Sequence, residues 1–172
     1  MKLDRKIMKA GGALAAVALS VTALATLPSG FTPSGIARIQ LGELDARVHR
    51  TKATGDWDLM LKTRDDTTIN VDRLSIDPGG FSGWHAHPGP VFARVTVGSI
   101  LWFDGSDPEC GFIELQAGDS FYEPAYNPHY VLNASEDDPA EYVAVAIAPS
   151  NAFAQGGIGF RLNRDTPEGC PE

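Results

Sequence analysis

The sequence predicts an all-β fold, a single small barrel or sandwich built from short strands. Three observations lead there. A chain of 172 residues with 43% hydrophobic content has the size and core-forming material of one domain. From residue 36 onward, short alternating or β-branched runs recur between Gly, Pro, Asn and Asp clusters. No window between residues 40 and 150 sustains a helical period over the length a helix needs.

Taken in order, the chain opens with a basic cluster, Lys2, Arg5, Lys6 and Lys9, followed by an uncharged apolar run from Ala10 to Leu27. Ala23 and Ala25 then stand at the A-x-A spacing of a signal-peptidase site. Residues 1–25 therefore read as a secretory signal peptide, and the protein is expected to be secreted or periplasmic. Gly35 and Ala37 offer a later cut, and an uncleaved membrane anchor is the alternative to cleavage. Residues 26–35 read as a flexible leader. The predicted strands are "IARIQL", "WDLMLK", "TINVDRLSI", "VFARVTV", "SILWF", "SFYEP", "HYVL" and "EYVAVAIA". Turn signals such as "DPGG", "HPGP", "DGSDPE" and "NPH" separate them. The stretch from 149 onward reads as irregular, with one strand near Ile158 to Leu162. The barrel is thus assigned to residues 36–165 and a C-terminal tail to 166–172.

Cleavage after Ala25 would remove four basic residues and one acid, leaving 10 Lys and Arg against 21 Asp and Glu, a formal charge of −11. Such an acidic body repels phosphate backbones and anionic lipid, which argues against nucleic acid as a partner and against membrane binding after cleavage. Cys110 and Cys170 are the chain's two cysteines. In an oxidising compartment they are expected to form a disulfide tying the tail to the body; a free thiol or an intermolecular bridge is the alternative.

Two of the four histidines, His85 and His87, lie one residue apart in "GGFSGWHAHPGPVFARVTVG". Residues i and i+2 of a strand share a face, so this pair can present two imidazoles to one metal ion. A second segment, "GDSFYEPAYNPHYVLN", reads as strand, stop at Pro124, tight turn at Asn127-Pro128, and a new strand opening at His129. Such a hairpin can deliver a third imidazole. Three neutral imidazoles make a competent site for a divalent first-row metal with open positions.

Together the segments resemble the cupin family. Its first motif, glycine, five residues, H-x-H and a closing glycine, is matched by Gly79, His85, His87 and Gly98. Its second is matched at the required spacing by Gly118, Pro124, His129 and Asn133. "GWHAHPGP" is similar to the start of many small single-domain bacterial cupins. The resemblance implies a double-stranded β-helix, or jelly-roll, barrel holding one divalent transition metal, Fe, Mn, Ni or Zn, through His85, His87 and His129. Two positions depart from the pattern. The family's glutamate falls on Val91 or Phe92, neither of which can ligate, and Tyr126 stands where the second motif has glycine. Glu123 faces inward if Phe121 packs in the barrel, and it would then restore a carboxylate ligand. On the outer face it would meet only water or an Arg.

The remaining candidates divide the same way. His49 has no partner motif and reads as a surface residue. Arg94, alternating with Phe92 and Thr96, either holds an anionic substrate in the cavity or is solvated outside. Trp84, Phe92, Tyr122 and Tyr126 line a pocket or belong to the core. Asn133-Ala134-Ser135 also matches a glycosylation sequon. The resemblance favours an exported small-molecule metalloenzyme of dioxygenase type, with an anionic chelating ligand or substrate; a non-catalytic small-molecule or metal-binding module is the alternative. Glu123 would serve as a general acid or base if it is not a ligand. The strand-forming segment before residue 65 is compatible with a homodimer that exchanges an edge strand.

Overall fold

The computed structural model describes residues 25–49, 51–53, 55–153 and 161–171. Its strands are β1 (Ser29–Leu41), β2 (Asp45–Val48), β3 (Leu59–Lys62), β4 (Thr67–Phe81), β5 (His85–Ala86) and β6 (Val91–Val97). They continue as β7 (Ser99–Asp104), β8 (Phe112–Gln116), β9 (Ser120–Glu123), β10 (His129–Asn133), β11 (Ala140–Pro149) and β12 (Leu162–Asn163). One 3-10 turn, Ser150–Phe153, follows β11. Ten strands form one sheet in the order β12-β5-β10-β4-β11-β6-β9, with β1 added to β4 and β7 lying between β10 and β8. The sheet curls into a nearly closed jelly-roll barrel, and β2 and β3 form a separate exposed hairpin.

Strict alternation builds the walls. In β6, Val91, Ala93 and Val95 are buried while Phe92, Arg94 and Thr96 face solvent. Ala93 and Val95 of that row join Leu74 and Ile76 of β4, Ile100 of β7, Val131 of β10 and Tyr142 of β11 in the main core. A second cluster forms where Trp84 and Tyr130 pack on Phe103 and the Cys110–Cys170 disulfide. That disulfide pins the tail to the body as expected. The Trp84 indole N–H donates to the Pro171 carbonyl at 2.8 Å, and Arg164 N–H donates to the Trp84 carbonyl at 3.0 Å.

Three expectations change. Residues 26–35 do not read as a leader: from Ser29 they belong to β1, paired with β4 from Ser29↔Phe81 through Gly35↔Asp72. Their Gly and Pro content suits an edge strand, where Pro33 has no second ladder to satisfy. "DPGG" is a bend inside β4, not a turn after it. Pro78 cannot donate and Gly79 adopts φ +63°, so the ladder to β1 slips between Ile76 and Phe81 while the strand continues. The strand expected near Ile158 is represented by Leu162–Asn163; residues 158–160 lie outside the described residues.

Asn133, 2% exposed, is a structural clamp. Its amide donates to the carbonyls of Ile76, Asp77 and Asp138, and its Oδ1 accepts from Ser135 N–H. Burial removes it as a glycosylation site in the folded chain.

Replacing Cys110 and Cys170 together by Ala releases a closed loop with a sequence separation of 60. We expect a loss of about 2–4 kcal/mol, read as a lower denaturant midpoint, with a steeper slope because the unfolded chain is no longer held compact.

Candidate metal centre

β5 is two residues long, and the H-x-H straddles its end: His85 lies in the strand and His87 just beyond it. Gly83 makes the approach possible. It adopts φ +65°, and a Cβ there would lie 2.1 Å from the Thr26 carbonyl oxygen. Ser82 anchors the turn by donating to Gly83 C=O and accepting from Val131 N–H, both at 2.9 Å. From the opposite side β10 brings His129 directly across from His85 in the antiparallel ladder. The His85 and His129 ring centroids are 4.2 Å apart, and His87 lies 4.9 and 5.0 Å from them. Ligand nitrogens of the three histidines all lie within 4.8 Å of one another.

Glu123 completes the group. It is 3% exposed and closes β9 directly opposite Val91 of β6. Val91, also 3% exposed, faces the same interior. Glu123 therefore lies one strand over from the position where the family's glutamate falls. Its Oε2 lies 3.4 Å from His87 Nε2 and its Oε1 3.3 Å from His129 Nε2.

The hydrogen bonds decide what these nitrogens can do. His85 Nδ1 lies 2.9 Å from the Gly83 carbonyl, and His129 Nδ1 lies 2.9 Å from the Asn127 carbonyl. A carbonyl accepts only, so each Nδ1 carries the proton and each neutral ring keeps its lone pair on Nε2. Burial holds both histidines below their ordinary value, His85 strongly, with neighbouring imidazoles adding to its shift. For His129 the charge of Glu123 opposes burial without overcoming it. Burial pushes the Glu123 carboxyl up, but His129, His87 and Trp102 outweigh it and hold the group below its usual range. So His129 Nε2, buried and without a hydrogen bond, meets an ionised oxygen at 3.3 Å. A lone pair facing a carboxylate needs a proton or a metal cation between them. Donor atoms sharing one ion with bonds of roughly 2.1 Å sit about 3–3.4 Å apart, close to the 3.4 and 3.3 Å from the Glu123 oxygens to His87 and His129 Nε2. The residues fit a divalent metal.

In front of the group lies a cavity of about 110 Å³. Phe31, Leu74, Val91, Ala144 and Ala146 form most of its apolar wall, and Asp72, Tyr142 and Arg161 supply polar groups beside the site residues. Sequence reasoning missed all three. Arg94, weighed for the cavity, points outward and donates to Ser120 at 3.4 Å, because its aliphatic neighbours 93 and 95 take the interior. Phe92 and Tyr122 pack in a tilted pair on the outer face with ring centroids 5.3 Å apart, and Tyr126 is 61% exposed, so none of the three lines the cavity. Trp84 is core. His49 is exposed. Tyr126 adopts φ +60°, which explains why glycine suits this motif position; its N–H donates to the His87 carbonyl at 2.7 Å and joins the two motifs.

These shifts predict acid sensitivity of the metal-free protein. The unfolded chain takes up protons near the ordinary histidine value of 6.5, whereas folded His85 and His129 resist protonation until lower pH. Stability must fall as pH drops below about 6.5, by at most roughly 1.4 kcal/mol per pH unit for each histidine. Glu123, held below 4.5, adds a further loss at more acidic pH. Denaturant midpoints of chelator-treated protein at pH 7.5, 6 and 5 should decrease steadily; a flat profile contradicts this reading.

The family model described as "Cupin domain" matches residues 73–146. Among solved structures, the chain resembles an oxalate oxidase at 21% identity and TM-score 0.42, covering 52% of this chain and 49% of that one. It also resembles the polyketide cyclase RemF of Streptomyces resistomycificus, at 18% identity and TM-score 0.41, covering 46% and 54%. A sugar phosphate isomerase of a cupin superfamily from Silicibacter pomeroyi matches at 24% identity and TM-score 0.39, covering 45% and 49%. The chain spans about half the length of these structures. No curated protein matches it. Residues 73–146, which hold both histidine segments, Glu123 and most of the barrel, thus match the cupin domain.

Proposed function

We propose that the protein is an exported small-molecule metalloenzyme of dioxygenase type, holding one divalent transition metal through His85, His87, His129 and Glu123. The observation that carries the metal reading is the Glu123 carboxylate 3.3 Å from Nε2 of His129, an imidazole whose Nδ1 proton is committed to the Asn127 carbonyl, with His85 and His87 beside it. Export is supported by the signal-like residues 1–25 and by the Cys110–Cys170 disulfide, which suits an oxidising compartment.

A bound Fe(II) would supply a site where an oxidisable substrate and O₂ are activated together; Zn, Mn or Ni would supply Lewis-acid chemistry. The chain's own residues do the rest. The backbone carbonyls of Gly83 and Asn127 orient the two buried rings. Glu123 lowers the net charge of the site by one, which weakens its pull on anions without abolishing it. The apolar wall at Leu74, Val91, Ala144 and Ala146 excludes water from the bound substrate. Tyr142, its hydroxyl held protonated by burial, remains a hydrogen-bond donor at neutral pH.

Elemental analysis of the exported protein, prepared without a histidine tag, tests this directly. Close to one equivalent of a transition metal is expected, lost in a His85→Ala, His87→Ala double variant. Iron would support oxygen chemistry, and another metal would redirect the reading to Lewis-acid chemistry. No metal, even after reconstitution with Fe(II), Mn(II), Ni(II) and Zn(II), would sink the metalloenzyme and leave a binding module.

The ladder supplies a sharper variant. Glu123→Ala should weaken metal binding by at least tenfold, and adding Val91→Glu on the facing rung should recover most of it. Recovery in competition titrations would show that one carboxylate is needed and either rung can deliver it. Unchanged affinity in the Glu123→Ala protein alone would remove Glu123 from the ligand set.

A further inference from the structure

Three charged side chains line the cavity besides the histidines, and two of them are matched. Glu123 faces His87 and His129. Asp72 is partly buried, hydrogen-bonds Asn70 and lies in the field of Arg38. Arg161 is the third.

Arg161 immediately precedes β12, whose pairing Leu162↔Ala86 and Asn163↔His85 fastens it to the strand carrying the first histidine. Its Nε donates to Asn163 Oδ1 at 2.7 Å and its Nη2 to the Trp84 carbonyl at 3.4 Å. Both contacts hold the guanidinium from its own side of the barrel. Two of five N–H donors are used, and among the described residues no carboxylate lies within 4 Å. Burial brings this guanidinium down to about 10, so it still carries its charge at neutral pH. Arg161 is partly buried, and a guanidinium lining an apolar cavity without an anion is costly; the cavity is where its remaining donors meet one. Tyr142 also lines that cavity, and its charge state and that of Arg161 influence one another.

We infer that Arg161 is the anion-recognition residue of the cavity, and that the natural ligand is a small carboxylate with an apolar body. The carboxylate takes the planar guanidinium fork, and the body lies along Phe31, Leu74, Ala144 and Ala146. About 110 Å³ limits that body to a few carbons. Arg161 lies outside residues 73–146, so the tail, clamped by β12 and the disulfide, contributes specificity that the family-matched segment lacks. This rests on the small-molecule reading of the cavity but not on a metal being bound.

The test titrates butanoate and the uncharged butanamide into the isolated protein by calorimetry, both as prepared and after chelator treatment. Butanoate should bind the metal-free wild type at least tenfold more tightly than butanamide, and Arg161→Gln should erase that preference while keeping the wild-type metal content. Equal binding of the two probes, unchanged butanoate affinity in Arg161→Gln, or no butanoate binding would each overturn the proposal. A missing metal would count against the metal centre alone. Should Arg161→Gln fail to fold, phenylglyoxal labelling of wild-type Arg161, followed by peptide mass spectrometry, decides the question. Slower labelling in butanoate than in butanamide supports the subsite, and equal labelling rejects it.

Discussion

A buried carboxylate and buried imidazole lone pairs do not share a protein interior comfortably unless a cation joins them. That constraint organises this molecule. Glu123, His87 and His129 are held with oxygen–nitrogen separations of 3.3 and 3.4 Å inside a barrel where each is largely shielded from water. The surrounding structure keeps them there. Asn127 and Gly83 hold two rings by their Nδ1 protons, and the β6–β9 ladder fixes the height of the carboxylate. A site of this kind taxes the fold until an ion binds, and a bound ion would return the cost as stability.

The barrel serves that site through details that are otherwise unremarkable. β4 bends at Gly79 and continues, so one strand can pair with β11 along its first part and reach β10 at Phe81. Asn133 ties the Ile76 and Asp77 carbonyls at that bend to the Asp138 carbonyl between β10 and β11, which places the strand beginning at His129. Ser82 then joins the approach to His85 to the middle of β10 through Val131. Asn133 and Ser82 thus support the segments that carry the histidines without touching an imidazole ring.

Much of this was legible in the sequence because spacing along a strand translates directly into geometry. Positions 85 and 87 share a face, and the turn at Asn127-Pro128 delivers His129. Glu123 was ambiguous for a physical reason: period-2 alternation says which residues share a face but not which face is inside. The inward packing of Phe121 settles it, and only the fold shows that Val91 and Glu123 occupy facing rungs. Arg94 was weighed for a cavity that its own aliphatic neighbours exclude it from. Arg161 had no signal at all, since a lone basic residue in an irregular tail acquires meaning only when β12 pairs with β5. Likewise the Gly- and Pro-rich start of β1 looked like linker because composition does not reveal a partner strand.

The central claim is that one ion is shared by three imidazoles and the displaced glutamate. Anomalous diffraction at the absorption edge of the bound metal, from crystals of the isolated protein, tests it most directly. The account predicts a single strong peak within about 2.3 Å of Nε2 of His85, His87 and His129 and of a Glu123 oxygen. A peak bonded to the histidines with Glu123 turned away would contradict the role given to the carboxylate, and a peak elsewhere would contradict the site itself.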